Sequence, residues 1–389
     1  MRHYLVSICA LVLLAMCMRA SADEAQPVAV RSWPGGIVSI ETQWGLTVSF
    51  DAKLQANVAS KDGVDQELFS KGTYKHVLSR APNAEKPTWA EVSGDASVGA
   101  NDIRVTSLTL ANDKVPAVEI TVDGVRIVFM DAIKLRGHAD EVGKDAEIDL
   151  LVLSAADTEG LLEPSVGEAV KKLTPGQTLI NLEDLDQKDL DQFAKTLGSD
   201  SRSVAHNTMA LSSGSGVSGR VVKLATVPWE MPEDLNKLFE AMEKSNAASQ
   251  ETFAKLSVDQ MNFKPKNGTH TPRWNTEHMM GRQLLFFSKI YKTQDAAIPV
   301  MDLNPKQMPP DYEFAHPDWD GKEEARQMQR VSDFTRRFAY LLDGMDVDKK
   351  APGSRWPSLR ALLRQMERHY KEHTGNTVKK FELPGWPQS

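Results

Sequence analysis

The stretch 362–381, LLRQMERHYKEHTGNTVKKF, sets His369 and His373 four residues apart in a run whose apolar positions recur at helical spacing. On a helix that spacing puts two imidazoles on one face, close enough to converge on a single ion if a neighbouring helix supplies a third ligand. A candidate third ligand is His278 in 271–287, TPRWNTEHMMGRQLLFF, and His270 just before it competes for the same role. A bare HxxxH pair also occurs on solvated helix faces, so the surrounding helices decide its meaning.

Those helices are well signalled. From Pro232 onward the chain reads as long amphipathic helices separated by Pro-rich loops. The first, from PEDLNKLF, repeats Leu235, Leu238, Phe239, Met242, Phe253 and Leu256 near helical spacing, with acids in its first turn. A second is expected to start at Asn275 as N-cap, placing His278 in its first turn. A third is expected over 322–343 and a fourth over 358–381, after the long connection DLNPKQMPPDYEFAHPDWDG. Four helices with one long crossover predict a bundle, and bundle metal sites form from inward-facing side chains on neighbouring helices.

Residues 28–226 belong to a different regime, with short Val/Ile/Leu/Thr runs broken by Gly, Asp and Asn. IVSIET and LTVSFDA flank Gln43, Trp44 and Gly45, and VEITV and VRIVFM flank Asp123-Gly124, a strong two-residue hairpin signal. Further on, EIDLLVLS, QTLINL and RVVKLATV read as strands, and PSVGEAVKKL and DQKDLDQFAKTLG as helices. Hairpins first and strand-helix alternation later predict a mixed sheet layered with helices. The run LSSGSGVSG, 211–219, fits a flexible connection near the boundary.

At the start, an apolar run from Tyr4 to Met18 follows Arg2 and His3 and precedes Ala20-Ser21-Ala22, which predicts a secretory leader over 1–22 and an exported product, periplasmic or extracellular. The run is shorter than a membrane-spanning helix needs, so no span is expected after cleavage. Both cysteines, Cys9 and Cys17, lie in that leader, which removes disulfides and thiolate ligands from the rest of the chain. The net charge of −7 is spread rather than blocked and argues for solubility and against nucleic acid as a partner. Haem is disfavoured by the missing CxxCH.

Two family resemblances follow from these residues. HYKEHTGN, supplying His369, His373, Gly375 and Asn376, and RWNTEHMM, supplying Trp274 and His278, resemble the DinB/YfiT-like four-helix family over nearly all of 232–389. That resemblance implies a metal held by His278, His369 and His373, with Zn, Ni, Mn or Fe all compatible, and a thiol-dependent transferase or a hydrolase among its relatives. GGIVSIETQWGLTVSFDA, VEITVDGVRIVFMDA, AEIDLLVLS and LTPGQTLINLED resemble UlaG-like members of the metallo-beta-lactamase superfamily. This implies an αββα sandwich over 28–228 with Asp131 in the place of a bridging ligand.

The family's HxHxDH cluster should follow His76, yet HVLSRAPNAEKP carries neither the second histidine nor the acid, and Asn181 stands where another histidine is expected. The resemblance therefore implies a pseudo-enzyme domain, with Asp131 most simply a carboxylate at a strand end. His138 and His206 take no role. The sequence thus predicts a multidomain chain, an α/β sandwich followed by an all-α bundle, carrying a divalent metal in the bundle and acting as a hydrolase or transferase. No catalytic residue is assigned.

The alternative is a non-catalytic envelope binding or scaffold protein. Glu277, Glu367 and Glu372 are candidates to orient ligand imidazoles, although each is more often a solvated helix-face acid. Trp274, Phe286, Phe287, Tyr312 and Trp319 are candidates for an apolar mouth, although each is more often core. The partner is expected to be a small molecule or an envelope component, and homo-oligomerisation is left open.

Overall fold

The computed structural model describes residues 27–43, 46–50, 56–60, 104–109, 116–143, 147–213, 219–302 and 316–388. The chain forms two compact units, dividing after Pro228. The predicted leader, His76 with the segment after it, Trp44, Gly45 and Tyr312 lie outside the described residues. No helix among the described residues is long and apolar enough to cross a membrane.

The first unit begins with β1 (Val28–Trp33), β2 (Ile37–Glu41), β3 (Leu46–Phe50) and β4 (Ala56–Ser60), followed by β5 (Arg104–Thr109), β6 (Pro116–Val122) and β7 (Val125–Asp131). Asp123 and Gly124, both at positive φ, make the tight turn between β6 and β7 that their dipeptide signals. After α1 (Ala132–Val142) come β8 (Leu150–Ser154), α2 (Thr158–Leu161), α3 (Pro164–Leu173), β9 (Gln177–Asn181) and α4 (Gln187–Leu197). The unit closes with β10 (Ser201–Val204), β11 (Thr208–Leu211) and β12 (Arg220–Leu224).

Two sheets result, in the orders β11-β1-β2-β3-β4 and β10-β12-β9-β8-β7-β6-β5. The first is antiparallel throughout, while the second turns parallel from β7 onward because helices cross back over its face. Strand β7 shows why VRIVFM has no polar alternation. Val125, Ile127 and Phe129 enter the core between the sheets with Val30, Ile40 and Phe50, whereas Val128 and Met130 meet Leu135, Val166, Val170 and Phe193 from the helices. Phe50 and Phe129 touch across the sheets with ring centres 4.6 Å apart. The layers among the described residues are therefore sheet, sheet and helix.

The sequence carries no clear signal for β1, β4, β5, β10, β11, α1 or α2. VAVRSW of β1 is too short and mixed to stand out and the face of α1 is weakly amphipathic, so these two are held by pairing or packing.

The second unit contains α5 (Glu233–Phe253), α6 (Val258–Met261), α7 (Pro272–Gln294), α8 (Gly321–Arg337), a 3-10 turn (Ala339–Leu342) and α9 (Leu359–Val378). Helices α5 and α7 each pack against both α8 and α9, so four long helices surround one core. Phe239 of α5 meets Phe287 of α7, and Tyr291 of α7 meets Phe334 of α8. A buried polar chain crosses this core: the Tyr370 hydroxyl donates to Gln283 at 2.6 Å, and the Gln283 amide donates to the Thr335 hydroxyl at 2.8 Å. Arg273 and Glu324, both fully buried, pair at 2.7 Å, and Arg273 also donates to Asn262 and to the Trp319 carbonyl.

Two expected boundaries move. Helix α7 starts at Pro272, whose ring presets the first helical φ, and Thr271 is the cap, its hydroxyl accepting from the Trp274 N–H at 3.0 Å. Asn275 is therefore inside the helix and His278 is in the second turn. The third helix ends at Arg337 rather than near Asp343, because the chain tightens into the 3-10 turn.

Candidate metal centre

The second turn of α7 and the C-terminal half of α9 bring three imidazoles together. One ligand nitrogen from each of His278, His369 and His373 lies within 4.8 Å of the others. Ring centres stand 5.0 Å apart for His278 and His369, 5.1 Å for His278 and His373, and 4.4 Å for His369 and His373. A nitrogen about 2.1 Å from a divalent ion puts its ring centre roughly 3.2 Å from that ion, so rings meeting at angles between 90° and tetrahedral stand about 4.5 to 5.2 Å apart. The three separations, 4.4 to 5.1 Å, fall within about 0.1 Å of that span, and the three residues fit a metal ion. Among the described residues no other group of His, Cys, Asp or Glu is arranged to hold one.

The protonation state suits ligation. Burial, reinforced by His373, His278, Arg282 and Arg368, pushes the His369 imidazole down to about 3. Burial, reinforced by His270 and Lys380, pushes His373 down to about 4. Both rings are neutral at physiological pH and present a lone pair without first losing a proton. The Nδ1 atom of His369 is buried with no hydrogen-bond partner among the described residues, so no hydrogen bond competes for that nitrogen there.

His373 is oriented by an amide rather than by a carboxylate. Its Nδ1 lies 2.8 Å from the Asn275 side-chain oxygen, and the Asn275 amide nitrogen donates to the Thr377 hydroxyl at 3.0 Å. With Thr377 taking the amide N–H, the oxygen is turned to accept the His373 Nδ1–H, leaving Nε2 as the ligand atom. Asn275 is 1% exposed, which keeps this arrangement out of competition with water.

The expected acids do other things: Glu367 pairs with Lys371 and Glu372 with Arg368 on the outer face of α9, and Glu277 is buried within electrostatic reach of Arg273. In sequence Asn275 reads as a helix cap, which hides its role as an orienting group. The available signal was its position three residues before His278, on the same helical stripe.

His270 stays outside the cluster. Its ring packs on Trp274 at 3.7 Å, and Trp274 in turn stacks on His278 at 4.4 Å, so the indole separates the two histidines. Trp274 thus borders the centre, with the His373 ring 5.9 Å from its own. Phe286 lies against Trp356 two turns along α7, whereas Phe287 points into the bundle core and Trp319 stacks on His316.

In the α/β unit, Asp131 caps α1, accepting from the Lys134 N–H at 3.1 Å, and Asn181 donates to the Gly36 carbonyl at 2.8 Å. His138 lies 3.5 Å from Glu141, and His206 accepts from the Thr208 N–H.

No family model matches the chain, and no curated protein matches it. Among solved structures it is similar to a metallo-beta-lactamase superfamily protein from Thermotoga maritima, at 11% identity and a TM-score of 0.32, over 51% of this chain and 100% of that one. A likeness of that size does not establish shared topology, and the chemistry has to be argued from the site itself.

Proposed function

We propose that this chain is an exported metalloprotein whose DinB-like helical unit holds a divalent ion between His278, His369 and His373, and acts as a hydrolase or transferase. The observation that carries this reading is the convergence of three imidazoles from two helices at metal-compatible spacing, two of them held neutral and one oriented through Asn275. Bound there, an ion with three neutral protein ligands would keep positions for water or substrate and lower the pKa of a bound water toward ~7. Trp274 excludes solvent from one side of the cluster, Asn275 fixes the His373 tautomer, and the buried Arg273–Glu324 pair anchors the first turn of α7. Metal identity is not selected by three imidazoles alone.

The α/β unit is read as a lactamase-like domain without a hydrolytic centre of its own. Supporting this, Asp131 is occupied as a helix cap and Asn181 as a tether to Gly36. The segment in which that family's histidine cluster would fall lies outside the described residues.

The test is elemental analysis of the purified protein beside a His369→Ala, His373→Ala variant. Near-stoichiometric metal that disappears in the variant is the expected result. Absence of metal from both, after supplementation with Zn, Ni, Mn and Fe, would remove the reading and favour a binding or scaffold role.

A further inference from the structure

His278, Arg282 and Phe286 recur at one-turn intervals and form a single stripe on α7. Helical side chains lean toward the N-terminus, so the Arg282 guanidinium is carried over the turn that presents His278. One turn further, Arg355 lays its guanidinium on the Phe286 ring at 4.6 Å and beside Trp356 at 5.5 Å, while Phe286 and Trp356 meet edge-on. Arg282 therefore stands beside the histidine cluster, and Arg355 lies over the same stripe one turn further along, within electrostatic reach of Arg282.

Neither guanidinium makes a hydrogen bond or ion pair with another described residue, whereas many of the chain's other arginines are paired. Arg126 pairs with Glu119, Arg273 with Glu324, Arg336 with Glu243 and Arg360 with Asp348. Asp302 is the acid within electrostatic reach of Arg282, and Arg355 acts on Arg282 with the opposite sign. Charge balance points the same way. Three neutral imidazoles bring no negative charge to a dication, and Arg282 adds a further positive charge within reach of His369. This surplus of positive charge along one stripe favours an anion bound beside it.

We infer that the three-histidine centre takes an anionic substrate, and that Arg282 and Arg355 hold its oxyanion group, a carboxylate or a phosphate, against the α7 stripe while the rest of the molecule reaches the metal. The planar guanidinium fork suits either group through paired N–H donors, and Phe286 and Trp356 hold the Arg355 fork flat. This inference rests on the metal reading above and adds the substrate class to it.

The experiment is calorimetric titration of inorganic phosphate, and separately of acetate, into zinc-loaded full-length protein. Arg282→Met, Arg355→Met, the double variant and Arg282→Lys are titrated alongside, with zinc content and melting temperature measured on the same samples. Expected is oxyanion binding that weakens by roughly tenfold or more for each Met substitution and is partly kept in Arg282→Lys, with zinc content and melting unchanged. Arg355 is exposed, so its variant keeps the test meaningful if Arg282→Met folds poorly. The phosphate and acetate arms show which oxyanion the fork prefers. Zinc retained with no oxyanion binding, or with binding indifferent to both arginines, overturns this inference and leaves the metal reading standing. Failure of the wild-type protein to hold zinc overturns both.

Discussion

Replacing Asn275 by alanine separates the orientation of the centre from its mere presence. The side chain is 1% exposed and makes two directed contacts, accepting from His373 Nδ1 at 2.8 Å and donating to Thr377 at 3.0 Å. Removing it leaves the buried Thr377 hydroxyl and the His373 N–H without their partner, at roughly 1–3 kcal/mol each for a fully buried group. His373 is only partly buried and can recruit water, so the loss of folding stability should lie near the lower end, about 2–3 kcal/mol in all.

The effect on metal is a separate quantity. Without the acceptor, His373 loses its preferred tautomer and ring angle, and zinc affinity should fall by roughly 10–100-fold. Asn275→Asp keeps the acceptor and removes the donor to Thr377, so it should lose stability while retaining most of the zinc affinity. Urea melts of the metal-free proteins measure the first quantity, and zinc competition against a chromogenic chelator the second. Unchanged zinc affinity in Asn275→Ala would refute the claim that this amide positions the ligand. Equal losses in Ala and Asp variants would mean that only packing matters.

Other outcomes can be checked in parallel. In the metal-free protein, His369 and His373 titrate near 3 and 4 against about 6.5 in an unfolded chain, so the unfolded state binds more protons below that value. Stability should be unaffected by these groups above pH ~6.5 and should fall as pH drops toward 4, by up to ~1.4 kcal/mol per unit and ring. A His369→Gln, His373→Gln protein followed by urea denaturation across pH should lose that slope; the same slope in the variant would assign it elsewhere. Arg273→Met should cost about 3–5 kcal/mol by stranding buried Glu324, and adding Glu324→Leu should recover part of it, the remainder being the lost bonds to Asn262 and the Trp319 carbonyl. A double variant as unstable as the single would show that the pair is needed for more than its charge balance. Gly321→Ala should destabilise by about 3 kcal/mol or more, because the new Cβ would fall 1.8 Å from the Phe253 carbonyl oxygen. A melt indistinguishable from wild type would contradict that close approach of α8 to the end of α5.

Much of the architecture is written in local sequence. The Asp123-Gly124 turn, the caps at Asp186 and Ser358, and the repeat of Leu362, Leu363, Met366 and Tyr370 act over a few residues, where backbone sterics and side-chain period decide the outcome. The pairing of His369 with His373 is equally local, one turn of α9. The start of α7 differs from the sequence expectation because Asn275 satisfies the same preference for a helix cap as Thr271, and only Pro272 with the Thr271 bond to Trp274 separates them.

What tertiary structure alone decided is which distant side chains meet. Asn275 lies 98 positions from His373, and the packing of α7 against α9 makes it the orienting amide, places Trp274 between His270 and the cluster, and leaves the metal face to His278. Helical period assigns each residue to a stripe; which stripe faces another helix depends on the burial of both helices together, a sum over the whole bundle that no short window of sequence contains.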